Sequence, residues 1–231
     1  MGQYYLPIIL KEDWKEQKQP VMATVKCYDY NNGAKLMEHS YVHNDFVGAA
    51  MRMIDLFDKD KTGVKFAWVG DYADRKDTSV YPITIQKIEN DDGSIRYDTD
   101  GGVDLHEMGY EWIYNDYEKN DMDSDQYKEL KEKIKTHELY QYRYIINWTK
   151  REFVAVPKFN KDTWTVHPLP ILTADGNGRG GGDRSDCYPD GTEKENTKFV
   201  GTWAYDRISV TNDKRMCGWL KQLDWFPEME Y

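Results

Sequence analysis

The segment GNGRGGGDR, from Gly176 to Arg184, places five glycines beside two arginines. Glycine lets the backbone reach left-handed conformations, so successive N–H groups can turn to one side and form an anion-binding concavity. Arginine adds a planar, permanently charged fork that grips phosphate or carboxylate. On that chemistry Gly176, Asn177, Gly178, Arg179, Gly180, Gly181, Gly182, Asp183 and Arg184 form the candidate ligand-binding site, with His167 and Trp203 as flanking polar and aromatic partners. Trp68 is a further aromatic candidate. Gly176, Gly178 and Gly181 also spell G-x-G-x-x-G, but a dinucleotide fingerprint needs a helix to begin within it. Here a polar, turn-forming run follows, Asp183 to Gly191 with Pro189, and no Gly-Lys-Ser/Thr makes a P-loop. The expected ligand is a small, nucleotide-like anion, and no cofactor is expected.

Other constellations fail on spacing. Asp58-Lys59-Asp60-Lys61-Thr62-Gly63 matches the first half of a calcium loop, yet Val69 stands where the bidentate carboxylate belongs. These residues read instead as a helix end closed by glycine. His39 and His43 are four apart, but Ser40 follows the first histidine where a zinc protease has its glutamate. No metal is therefore expected. His167 with Asp183 or Asp206 offers an acid–base pair for hydrolysis, although no G-x-S-x-G elbow accompanies it. Absence of a nucleophile motif leaves an activity uncertain and a binding role favoured.

The elements that would carry these residues follow from periodicity. Phe46, Ala49, Ala50, Met53, Ile54 and Phe57 recur at helical spacing, with Asn44 as N-cap, predicting a helix over Asp45 to Phe57. Leu105, Met108 and Trp112 predict another over Asp104 to Tyr117; Tyr127, Leu130 and Ile134 predict a third over Ser124 to His137. Strands are expected at Val21–Tyr30, Val64–Val69, Tyr140–Asn147, Phe153–Val156, Trp164–Leu172 and Phe199–Val210, with a hairpin pairing Val80–Ile88 and Ser94–Thr99. Trp219, Leu220, Leu223, Trp225 and Phe226 are expected to dock on the core. The fold class is α+β: a predominantly antiparallel sheet, about three packed helices and a long glycine-rich loop. Without a linker or repeat, residues 1–231 read as one domain, with a helical insertion around 100–138.

Acidic residues exceed basic ones, 41 against 31, giving a net charge of −10 that disfavours nucleic acid and anionic membrane as partners. Aromatics make up 14% of the chain, so its core should be aromatic-rich. Cys27, Cys187 and Cys217 form no C-x-x-C and no even set, which suits a reducing, cytoplasmic setting. The short apolar run near the N-terminus has no basic residue before it, and Leu6 stands where myristoylation wants Ser or Thr, so no membrane attachment is expected.

The blocks MGQYY, NNGAKLMEHSYVHNDFVGA, AWVGDYAD, HPLPILTADGNGRGGGD and VGTWAYDRISV span most of the chain. In these the chain resembles a family of bacterial and bacteriophage hypothetical proteins with no known activity. That resemblance implies a phage or mobile-element setting and an accessory or counter-defence role, and it lends no catalytic residues. Alongside the anionic-ligand reading it raises a second one, an acidic inhibitor of a basic, nucleic-acid-binding host defence protein. Asp116 to Asp125 is its richest acidic stretch.

Overall fold

The computed structural model describes residues 3–17, 19–71, 86–89, 95–98, 104–135, 142–159, 165–175 and 199–225. The glycine-rich candidate site, Gly176 to Arg184, lies outside the described residues, as do Cys187 and Phe226.

Strand β1, Tyr5–Leu10, is buried along its whole length. It reads YLPIIL, apolar on both faces, as suits an interior strand. It pairs antiparallel with β2, Val21–Thr24, on one edge and with β3, Val64–Gly70, on the other. Between them lie α1, Leu36–His39, and α2, Asp45–Phe57. The Asn44 side chain caps α2 by accepting from Phe46 N and Val47 N at 3.0 and 3.2 Å, and buries Phe46, Ala50, Met53 and Ile54. A separate hairpin pairs β4, Gln86–Glu89, with β5, Ile95–Asp98. Asp104 caps α3, Leu105–Ile113, and α4 spans Asp125–Lys135; Leu105, Ile113, Tyr127, Leu130 and Ile134 enter the core.

The chain then forms β6, Tyr144–Asn147, and β7, Glu152–Ala155, an antiparallel pair turned by residues 148–151. After α5, Pro168–Thr173, and β8, Ala174–Asp175, come β9, Arg207–Thr211, and β10, Lys221–Gln222. The eight-stranded sheet runs β10-β7-β6-β9-β3-β1-β2, with β8 also on β3. Among the described residues only the β10–β7 and β3–β8 pairs are parallel, so the sheet is mainly antiparallel, as the α+β class requires. Strand β3 divides one edge between two neighbours: Val64 and Lys65 face β9, whereas Trp68 and Val69 face β8. No helix among the described residues is long and apolar enough to cross a membrane.

Five expectations need correction. Val21–Tyr30 is a strand only to Thr24; Cys27–Tyr30 forms a 3-10 turn ended by left-handed Asn31 at φ 53°. The described part of Trp164–Leu172 is helical from Pro168, because a proline in the first turn presets φ and loses no needed N–H. From Phe199 to Asp206 the chain turns rather than extends, and strand begins only at Arg207. Trp219 does not dock; it is 64% exposed, while Leu220 beside it is buried. Helix α3 ends at Ile113, earlier than its apolar pattern predicted, while the chain just after Lys135, where α4 is expected to reach His137, lies outside the described residues.

Gly63 leads into β3 at φ +83°, and a Cβ there would lie 2.6 Å from Trp148 Cδ1 and 2.9 Å from the Arg207 carbonyl carbon. Left-handed backbone alone costs a side chain about 1–2 kcal/mol. Urea unfolding of Gly63→Ala should therefore show a stability loss of at least about 1–2 kcal/mol; an unchanged midpoint would contradict this close approach.

Candidate functional site

Because β6 and β7 run antiparallel with Tyr144 opposite Ala155, the start of one and the exit of the other share an end of the sheet. Val156 N continues the ladder to Arg143 O at 2.9 Å, and Arg143 N reaches Thr211 O at 3.2 Å. Tyr142 precedes this pair, and its hydroxyl donates to Asp55 Oδ2 of α2 at 2.9 Å. Burial raises the Asp55 carboxyl, but hydrogen bonds from Lys61 and Tyr142 and the charges of Lys61 and Arg52 outweigh it and hold the group below its usual range. That ion-paired cluster fixes the end of the hairpin against α2.

A second clamp brings in the segment before α5. Val42 N donates to Thr165 O at 2.9 Å and His167 N to Ser40 O at 3.0 Å, with Tyr41 bridged to Val166 between them. His43 follows in a left-handed turn at φ 68°. The two clamps border an open cavity of about 640 Å³ lined by Val42, His43, Met51, Tyr142, Arg143, Tyr144, the segment Ala155 to Phe159, and His167. Its size suits a small organic ligand. The His43 and Phe159 rings stack at 4.8 Å and 18°, both exposed, while Arg143 and Lys158 contribute cations to the lining.

His167 is 2% exposed. Its Nδ1 accepts the Leu169 N–H at 3.2 Å and caps α5, so the proton of the neutral ring sits on Nε2. That Nε2–H has no hydrogen-bond partner among the described residues. Burial lowers the imidazole pKa to about 3, which keeps it neutral near pH 7. A buried donor left unpaired in this way costs about 1–3 kcal/mol. Polar groups of this kind are normally satisfied, so this orphaned donor stands out behind the cavity lining.

The other described candidates lie elsewhere. Trp203 is buried and donates from Nε1 to Glu152 Oε2 at 3.3 Å. Trp68 is fully buried, stacked on His39 at 5.3 Å and edge-on to Phe46 at 5.4 Å. Asp206 accepts from Asn147 Nδ2 at 2.8 Å and makes no bond to His167. His39 points into the core, donating from Nδ1 to Gly33 O at 3.1 Å, whereas His43 is exposed. No cluster of metal-ligating residues occurs among the described residues. In the acidic stretch, Asp116 pairs with Lys119, and Asp123 with Lys26 and Lys131, so part of its charge is spent internally. Arg143, Lys158, Tyr142 and Phe159 were not singled out in the sequence, and His43 was considered there only as a metal ligand; the nearest signal is the basic and aromatic content flanking β6 and β7.

No family model, curated protein or solved structure matches the chain. The site is therefore defined by its own chemistry: two cations, an exposed aromatic pair and one neutral buried donor.

The unfolded His167 side chain gains a proton below about pH 6.5, whereas the folded one does so only near 3. The unfolded state thus binds more protons in acid, and stability falls as the pH drops through this window. Asparagine at 167 retains an acceptor for Leu169 N–H but cannot titrate. Between about pH 5.5 and 4 the wild type should lose about 1.4 kcal/mol per unit more than His167→Asn. Parallel stability–pH curves from urea titrations would refute the buried neutral state.

Proposed function

We propose that the protein binds a small anionic, nucleotide-like ligand in the cavity beside β6 and β7. The carrying observation is a cavity lining shared by Arg143, Lys158 and the buried His167, whose Nε2–H has no partner among the described residues. Arginine and lysine favour phosphate or carboxylate through charge-assisted hydrogen bonds. The His43–Phe159 pair offers a planar face to a ring, and His167 offers a donor to a carbonyl or ring nitrogen. His167 lacks the attributes of a general base, since Leu169 N–H occupies Nδ1 and the ring stays neutral with its proton on Nε2. Binding is thus favoured over hydrolysis. In the bacteriophage setting implied by the sequence resemblance, the role is that of an accessory protein. The glycine-rich segment with Arg179 and Arg184 enters this reading on its sequence alone, as a further anion-binding element.

Occupancy of a native site raises stability, so a thermal-shift screen of nucleoside monophosphates, ribose 5-phosphate and inorganic phosphate tests the reading. At least one nucleoside monophosphate at about millimolar concentration should raise the melting temperature. Arg143→Ala or Lys158→Ala should weaken that ligand about tenfold or more, and Arg179→Ala measures the glycine segment's share. No shift with any nucleoside monophosphate would overturn the proposal.

A further inference from the structure

A second feature lies at the opposite end of the β6–β7 hairpin. The turn Trp148 to Arg151 meets the segment Lys214 to Lys221: Lys221 N donates to Arg151 O at 3.1 Å, and the Trp148 and Trp219 rings lie 6.0 Å apart at 39°. Trp148 is held by its Nε1 donating to Ser209 Oγ at 2.6 Å. Buried Cys217 and Leu220 pack with Ile146 and Phe153 and anchor the chain on either side of Trp219. Trp219 is nevertheless 64% exposed, a large indole held on a fixed turn and facing water.

Its surroundings are cationic. Lys150, Arg151 and Lys214 are exposed and have no ion-pair partner among the described residues. The Lys221 side chain is 77% exposed and only loosely associated with Glu152, at 3.8 Å. Two neighbouring carboxylates are already engaged: Glu152 by Trp203 and Lys221, and Asp213 by Arg215, which binds it at 2.7 Å.

We propose that this surface docks single-stranded nucleic acid, a base stacking on Trp219 while phosphates meet Lys150, Arg151, Lys214 and Lys221. An exposed aromatic ring among unpaired cations is the combination that binds single strands irrespective of sequence. An acidic peptide would satisfy the cations but leave the indole face without a partner. The net charge of −10 opposes a polyanion only as an average over the molecule, because charges beyond about 8 Å are screened at physiological ionic strength. This surface is independent of the ligand cavity.

The test is fluorescence anisotropy with a labelled oligothymidylate of about ten nucleotides, a length within the range single-strand binders occupy. Binding should weaken about 50-fold between about 50 and 200 mM salt, as about four neutralised phosphates require. Trp219→Ala should weaken it about fivefold or more, and Lys150→Glu with Arg151→Glu should abolish it. These positions are exposed, so circular dichroism melts of the variants should match the wild type. Absence of binding at about 50 mM salt overturns the proposal. So does a Trp219→Ala variant of unchanged affinity, or competition by polyglutamate as strong as by unlabelled oligothymidylate.

Discussion

Asp58 is 3% exposed, a buried carboxylate with both oxygens engaged. Its backbone N–H ends α2 on Ile54 O, Oδ1 accepts from Gly63 N at 2.9 Å, and Oδ2 accepts from the Ser209 hydroxyl. Ser209 in turn receives the Trp148 indole N–H. One side chain thereby joins the helix end, the entry to β3, the middle of β9 and the β6–β7 turn. A buried carboxylate is tolerable only while these donors remain, so their mutual positions are tightly coupled. The cavity beside β6 and β7 depends on α2 and the far end of the same hairpin. The Trp219 surface depends on Trp148 itself.

Sheet topology then separates the two surfaces. Because β3 shares one edge between β9 and β8, the chain from Val166 to Asp175 can lie against the sheet without extending the main strand order. That detour carries His167 to the cavity wall and makes it the cap of α5. The hairpin β6–β7 puts Arg143 and Lys158 at one end and Lys150 and Arg151 at the other. An acidic chain thus gathers part of its positive charge at the two ends of a single hairpin. The acidic stretch, by contrast, is partly neutralised by Lys26, Lys119 and Lys131.

Elements were legible where local chemistry and burial agreed. For α2, the Asn44 cap and the spacing from Phe46 to Phe57 point the same way, and the observed helix has the expected bounds. The reading of Asp58 to Gly63 as a glycine-closed helix end also matches, since Gly63 takes the left-handed conformation and its N–H meets Asp58. Where two local signals competed, the apolar run was misleading. In Val166 to Leu172 apolar residues suggest a strand, but Pro168 and Pro170 suit a helix start and His167 supplies the cap. Trp219 looked like core from its type alone, yet the 3-10 turn at Lys214–Cys217 buries Cys217 and Leu220 and turns the indole outward.

The sequence by itself determined the α+β class and the positions of the three longer helices and most strands; a small-anion chemistry was an expectation drawn from it. These depend on periodicity, capping and composition, which act over a few residues. Only the tertiary structure decided where such chemistry can be assembled from the described residues. The cavity draws Val42, Met51, Arg143, Lys158 and His167 from five separated segments, and no spacing along the chain encodes that meeting. It arises from strand register and from backbone bonds such as Val42 to Thr165, which form only once distant segments share a sheet and a buried core. The protonation of His167 was likewise undecided in the sequence, because it follows from burial and from the Leu169 N–H occupying one ring nitrogen.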